Sequence, residues 1–300
     1  MNILKAISYF SIFSYPLTKE EVFRFSDAKE ERIVVQELIS LEQKGVIYNM
    51  DGYYSVVNNK DIVSRRLKGN RSAKNIMPKA WKIAKFISNF PYIESVCISG
   101  SLSKGYYDEK SDIDFFIITK KNRIWVARTL LILYKKIFLL NSKKYFCLNY
   151  FMSGGYLKVD EENRFTATEI ATLIPLYGEN TFNKFIQENK WVYSFFPNID
   201  KNKKNIKKMS KDTLTRRIEK ILNYKLGSYL EIFFMKITIK KWSKKFNHLS
   251  KEDFEIAFKS TENISKHHPS NFQKKVLSLL NEKYEEIEKI HNIKLTPEHA

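Results

Sequence analysis

Apolar and polar positions alternate along this chain with two different periods, and the change of period falls at identifiable residues. The first stretch, about 2–13, is apolar at helical spacing. Thr18, with Glu21 three positions later, forms a capping-box signature for a short second helix ending near Phe25. A third helix is expected over about 29–44, where Ile33, Val34, Leu38 and Leu41 recur on one side and Gly45 follows the last turn. Two β-prone runs, 46–50 and 53–56, flank Asp51-Gly52, which is a hairpin signal. Residues 60–89 read as helical again, with an interruption expected at Gly69-Asn70 and a restart at Pro78, a residue suited to a first helical turn.

Pro91 closes that pattern and the period shortens. A strand over 93–99 leads into a Gly-rich turn and a short polar helix. A second strand over 113–119, a helix over about 122–140 and a third strand over 145–151 follow. Beyond Gly154-Gly155 the chain reads as mainly helical, over about 166–174, 181–189, 211–246, 250–260 and 270–291, with Ser270 as the N-cap of the last helix. This succession predicts an α+β fold, a mixed sheet flanked by helices over 91–180. Before it come a winged-helix-like domain at 1–58 and a helical connector at 59–90, and after it a helical carboxy-terminal region at 181–300.

Composition narrows the partners. Three hundred residues with 43% apolar content suit two domains or three small ones. A formal charge of +19 favours nucleotides, nucleic acid or anionic surfaces, although the codon bias of an AT-rich genome gives the same lysine excess. Fifteen Lys and Arg against three acids over 201–245 offer either a path for a phosphate backbone or a solvated helix face. The run at 201–208 reads as an exposed linker or a nucleic-acid arm. The third helix carries Glu30, Glu31, Glu37 and Glu42 against Lys29, Arg32 and Lys44, a poor balance for entering a DNA groove, so it is expected to pack against the rest of the chain or a partner protein.

Other functional classes recede. Cys97 and Cys147 lie in apolar runs without zinc-site neighbours and read as buried thiols of a reducing, cytoplasmic compartment. His248, His267, His268, His291 and His299 lack ligand spacing, and His267-His268 before Pro269 reads as a polar turn. The apolar run 6–17 leads into Thr18-Lys-Glu-Glu21 rather than a cleavage site, which fits a helical hairpin better than a signal peptide. The runs 130–140 and 226–239 are broken by Lys135-Lys136, Glu231 and Lys236, so no membrane span is expected.

The chemistry concentrates between Cys97 and Thr119. There an apolar strand runs into Gly100-Ser101, ten residues intervene, and Asp112-Ile113-Asp114 opens a second apolar strand. Side chains two apart on a strand share a face, so Asp112 and Asp114 project together. Two carboxylates that close repel one another unless a cation lies between them, and Mg²⁺, held by one or two carboxylates plus phosphate oxygens, suits them. Gly100 lets backbone approach an anion, Ser101 offers N–H and hydroxyl, and Lys104 adds a positive charge beside Gly105.

Gly100-Ser101, Asp112 and Asp114 resemble the signature of polymerase β-type nucleotidyltransferases, and the turn from Ser101 to Gly105 looks like that of the minimal nucleotidyltransferases. The resemblance covers roughly 93–151. It implies transfer of a nucleoside monophosphate from an NTP to an acceptor hydroxyl, with Mg²⁺ or Mn²⁺ at Asp112 and Asp114, Gly100, Ser101 and Lys104 at the phosphates, and pyrophosphate as leaving group. The acceptor, whether small molecule, protein or RNA, is open. Family members usually carry a third carboxylate on a later strand, where this chain has Asn149, an amide that can coordinate but cannot act as a base. Asp160, Glu161, Glu162 or Glu169 are the alternative sources of an acid. Without one, the other reading is a catalytically weak scaffold that binds a nucleotide or nucleic acid.

Overall fold

The computed structural model describes residues 2–200, 206–208, 210–267 and 271–299. At the amino terminus, α1 (Asn2–Ser11) is followed by β1 (Leu17–Thr18), α2 (Lys19–Arg24), α3 (Glu31–Gln43) and the hairpin β2 (Tyr48–Met50) and β3 (Tyr53–Ser55). Asp51 and Gly52 both take positive φ, which closes the hairpin, and β1 joins its free side in the order β1-β3-β2. The capping box on α2 forms in both directions: Thr18 Oγ1 accepts from Glu21 N, and Thr18 N donates to Glu21 Oε2. Arg66 then takes both oxygens of Glu21 at 2.6 and 2.8 Å.

Arg66 belongs to α4 (Asp61–Ser88), a single uninterrupted helix of 28 residues. The break expected at Gly69-Asn70 is absent because that glycine serves a close approach: the Tyr106 ring lies where a Cβ at 69 would be. Pro78 likewise sits inside the helix rather than at a restart. Ala73, Ala80, Ala84 and Ile87 form the buried seam of α4.

The central sheet runs β7-β4-β5-β6-β8, from β4 (Ile93–Ser99), β5 (Asp114–Thr119), β6 (Cys147–Ser153), β7 (Ile174–Tyr177) and β8 (Ile264–Lys266). The β5–β6 pair is parallel and the other three pairs are antiparallel. Between the strands lie α5 (Gly100–Ser103), α6 (Ile124–Phe138) and α7 (Arg164–Thr172). After β7 come α8 (Glu179–Glu188), α9 (Val192–Phe195), α10 (Thr213–Leu222), α11 (Lys225–Lys245) and α12 (Lys251–Ala257), then α13 (Phe272–His291) after β8. The carboxy-terminal region is helical, as expected, but it also supplies β8, and the helix expected over 211–246 is divided at Asn223-Tyr224. Ser270 and His268 fall outside the described residues, as do Lys201, Lys203 and Lys204 of the basic run. Lys207 pairs beside Tyr177 at the sheet edge, exchanging backbone hydrogen bonds with Leu176 and Gly178 rather than hanging free.

Strand periodicity separates two cores. Val96, Ile98, Phe115, Ile117 and Phe151 pack with α4 and α6 on one face, and Leu222, Leu230 and Phe234 close over their rim. Glu231 of α11 accepts from Trp125 N at 2.8 Å and Val126 N at 2.9 Å, capping the otherwise uncapped start of α6. On the opposite face Cys97, Phe116, Ile118 and Met152 join one continuous core with α1, α3, α7, α8 and α13. The amino-terminal elements therefore share their core with the sheet.

Candidate active site

Asp114 is the first residue of β5, opposite Ser99 on β4 and Cys147 on β6. Its parity sends it to the second face, with Phe116, and Asp112 opens onto the same cavity. Gly100, at φ +64°, turns the chain sharply after β4, and any Cβ there would collide with the Asp114 carboxylate. The turn and the acid are thus in contact, although 14 positions separate them in sequence. Burial pushes the Asp114 carboxyl up to about 6; the Cys147 thiol opposes this by hydrogen bonding, and the charges of Asp112 and Glu169 add to the rise. The same environment drives the Cys147 thiol upward, and it and Cys97 are both buried and outside any disulfide.

Asn149 reaches this acid through a defect in the sheet. Phe115 pairs with Leu148 and Phe116 with Tyr150, so Asn149 is the extra residue of a bulge on β6. Its Nδ2 donates to Asp114 Oδ1 at 3.1 Å, and its carbonyl accepts from His267 N just beyond β8. Lys104, expected to be a mobile charge, is held: Nζ donates to the Gly100 carbonyl at 3.1 Å and to Glu169 Oε1 at 2.8 Å. Glu169 lines the cavity but is committed to that ion pair. Asp160 and Glu161 both pair with Lys259, and Glu162 lies 3.9 Å from Lys158. Among the described residues no three His, Cys, Asp or Glu side chains converge as a metal-binding group.

The cavity below this polar rim measures about 400 Å³. Phe116 and Tyr150 come from the sheet, Phe165 and Ile170 from α7, and Ile256, Lys266 and Phe272 from the α12–β8–α13 segment. A second, larger groove of about 940 Å³ lies between α1, α4 and the turn and includes Arg65, Lys104 and Lys110. Gly100, Ser101 and Glu169 border both. No basic residue of the described part of 201–245 lines either one. No local pattern marks Lys266 or the aromatic walls, because the strand partner of Lys266 is Tyr150 and the ring partner of Phe165 is Phe272, each more than a hundred residues distant along the chain. Among the described residues no histidine lines either compartment, and the ring of His267 packs on Trp242 and Phe258.

Residues 77–170 match the family model described as the nucleotidyltransferase domain. The matched segment, about a third of the chain, begins inside α4 and ends in α7, so it contains the turn, both acids, Asn149 and Glu169. The mixed five-stranded sheet flanked by helices is consistent with the nucleotidyltransferase fold. Neither the curated proteins nor the solved structures give a match to this chain.

Proposed function

We propose that the protein is a metal-dependent nucleotidyltransferase that moves a nucleoside monophosphate from an NTP to an acceptor hydroxyl. The observation that carries this reading is the contact between the Gly100-Ser101 turn and Asp114, with Asp112 opening onto the same cavity. The backbone N–H and hydroxyl of Ser101 bind a phosphate oxygen at the point where both compartments meet. Asp112 and Asp114 would hold Mg²⁺ or Mn²⁺, with Asn149 as a neutral third donor. The donor set suits a hard cation: two carboxylates share one cavity, and the like charge of Asp112 adds to the burial that makes an ionised Asp114 costly without a counter-ion. The chemistry that Mg²⁺ or Mn²⁺ would supply when held by these residues is neutralisation of charge at the α-phosphate and easier deprotonation of the acceptor. In the transfer, the acceptor oxygen bonds to the α-phosphorus, the bond from that phosphorus to the bridging oxygen breaks, and pyrophosphate leaves while the hydroxyl proton passes to solvent. Positioning by the turn and the rim supplies much of the acceleration.

Lys104 enters this reading as the residue that orients the turn, since its ammonium already holds the Gly100 carbonyl and Glu169. Residues 1–58 form a winged-helix-like module that packs rather than reads DNA, an assignment supported by the acids of α3 and by the core it shares with α7 and α13. Two buried thiols outside any disulfide suit the cytoplasm, and no helix among the described residues is long and apolar enough to cross a membrane.

The test incubates the full chain with each α-labelled NTP and Mg²⁺ or Mn²⁺ in cell extract, beside Asp112→Ala/Asp114→Ala. Label should pass to an acceptor with the wild type alone; equal labelling by both proteins sinks the two-acid assignment. The scaffold alternative rests on Asn149, whose amide N–H occupies Asp114. Tight NTP binding without any label would favour it.

A further inference from the structure

We propose that the 400 Å³ cavity behind Asp112 and Asp114 is the acceptor site, and that it takes a small amphiphile whose anionic group pairs with Lys266 and whose hydroxyl lies at the two acids. The inference rests on the transfer reading above and names the acceptor class that reading leaves open.

The two compartments differ in charge and chemistry, and both border Gly100 and Ser101, where the phosphates bind. The larger groove balances Arg65, Lys104 and Lys110 against Asp61, Asp108 and Glu169, whereas the smaller cavity has an excess of acids, so of the two the larger groove is the less repellent to a triphosphate. The smaller cavity bears both acids and has apolar walls, Phe116, Tyr150, Phe165, Ile256 and Phe272 among them. Its size lies within the roughly 300–1,000 Å³ of small-molecule sites. Among the described lining residues Glu161 is paired with Lys259 and Glu169 with Lys104, while Asp112 and Asp114 have no ion pair, a lining unsuited to a polyanionic nucleic-acid backbone. Attack and departure then come from different compartments, as in-line displacement requires.

Among the described residues of the apolar walls, Lys266 is a charged group that lacks a counter-charge, and Asn271 Oδ1, which lines the same cavity, is buried without a hydrogen-bond partner. Lys266 is half-buried at the end of β8, beside Tyr150, and its Nζ donates to the neutral Gln273 Oε1 at 3.3 Å. Among the described residues no carboxylate lies within ion-pair distance of it, because Glu161, the nearby acid, is bonded to Lys259 at 3.0 Å. Burial lowers the Lys266 ammonium, with the charge of Glu161 opposing that shift. An ammonium placed against apolar walls with one neutral partner is costly unless an anion joins it. A carboxylate, sulfonate or phosphate on an aromatic or branched aliphatic body satisfies it.

Two fluorescent probes test this on the full chain: 8-anilinonaphthalene-1-sulfonate, and N-phenyl-1-naphthylamine, which has the same rings without the anion. The sulfonate should bind saturably and about tenfold more tightly than the amine, the size expected of one charge-assisted contact. Lys266→Met should erase that preference and Lys266→Arg retain it, while Ile256→Trp, which fills the cavity, should abolish binding of both probes with an unchanged melting curve. A preference that survives Lys266→Met, or probe binding that survives Ile256→Trp, overturns the assignment. Adding Mg²⁺ and the four α,β-methylene NTPs should leave the sulfonate bound; its displacement would place the nucleotide base in the cavity and overturn the acceptor assignment. Calorimetry with the same analogues keeps the two readings apart: if none binds, nucleotidyl transfer fails, whatever the probes report.

Discussion

The two faces of β5 are made from the same six-residue strand and end in different chemistry. On one, Phe115 and Ile117 are fully buried beneath α4 and α6, and the alanine seam of α4 lets that helix lie close to the strands. On the other, Asp114 and Phe116 face a cavity, because the covering elements arrive from three separate stretches of chain and meet around a space. The first face, covered by α4 and α6 with residues of α10 and α11 at its rim, is packed throughout. The face roofed by distant segments has room for a ligand, and the chain places its costly groups there: a buried acid beside another acid, a glycine at positive φ and a bulge.

The largest effect expected on the open face is that of Asp112→Asn/Asp114→Asn. Transfer should fall by at least about 10³-fold, as for loss of groups that stabilise transition-state charge, in single-turnover assays with labelled NTP. Removing two facing charges from a half-enclosed site should at the same time raise Tm by about 2–4 °C, the shift produced by ~1 kcal/mol in a protein of this size. A fall in Tm together with activity would mean that these acids serve structure instead. Gly100→Ala comes next, because its new methyl meets the Asp114 carboxylate at a positive φ. Calorimetry should show a loss of about 1–3 kcal/mol of stability, and transfer should drop about 10²-fold from displacement of the acid.

The closed face should respond in stability alone. Glu231→Ala leaves the first N–H groups of α6 without their acceptor, at a cost of about 2–3 kcal/mol in urea unfolding, while KM for NTP stays unchanged; a changed KM would show that the two faces communicate. Asn149→Asp restores a third carboxylate beside Asp114. Its thermal shift on adding Mg²⁺ after EDTA treatment should exceed the wild-type shift by about 2–4 °C, and equal shifts would remove residue 149 from the ion's surroundings. The mildest change is Ile117→Val, which should cost about 0.5–1.5 kcal/mol and leave kcat within twofold.

Much of the rim was legible because its geometry is written locally. Period two puts Asp112 and Asp114 on one side, a glycine marks the turn, and the Thr18–Glu21 pair announces its own cap. Where local reading failed, a remote contact had changed the meaning of a residue. Gly69 suggested a break and instead admits Tyr106; Lys104 suggested a free cation and instead holds Glu169, 65 residues on. The edge strands β7 and β8 escaped notice because three or four residues carry too little pattern to separate a strand from a loop.

By itself, then, the sequence determined the mixed sheet, the sharp turn after β4 and the pair of acids at the head of β5, since each depends on backbone preferences within a few adjacent residues. Tertiary structure alone decided that Asn149 bulges toward Asp114, that Glu169 is committed to Lys104, and that Lys266 stands within an apolar cavity. Those arrangements depend on which distant segments meet when the core closes, and packing of that kind leaves no periodic trace along the chain.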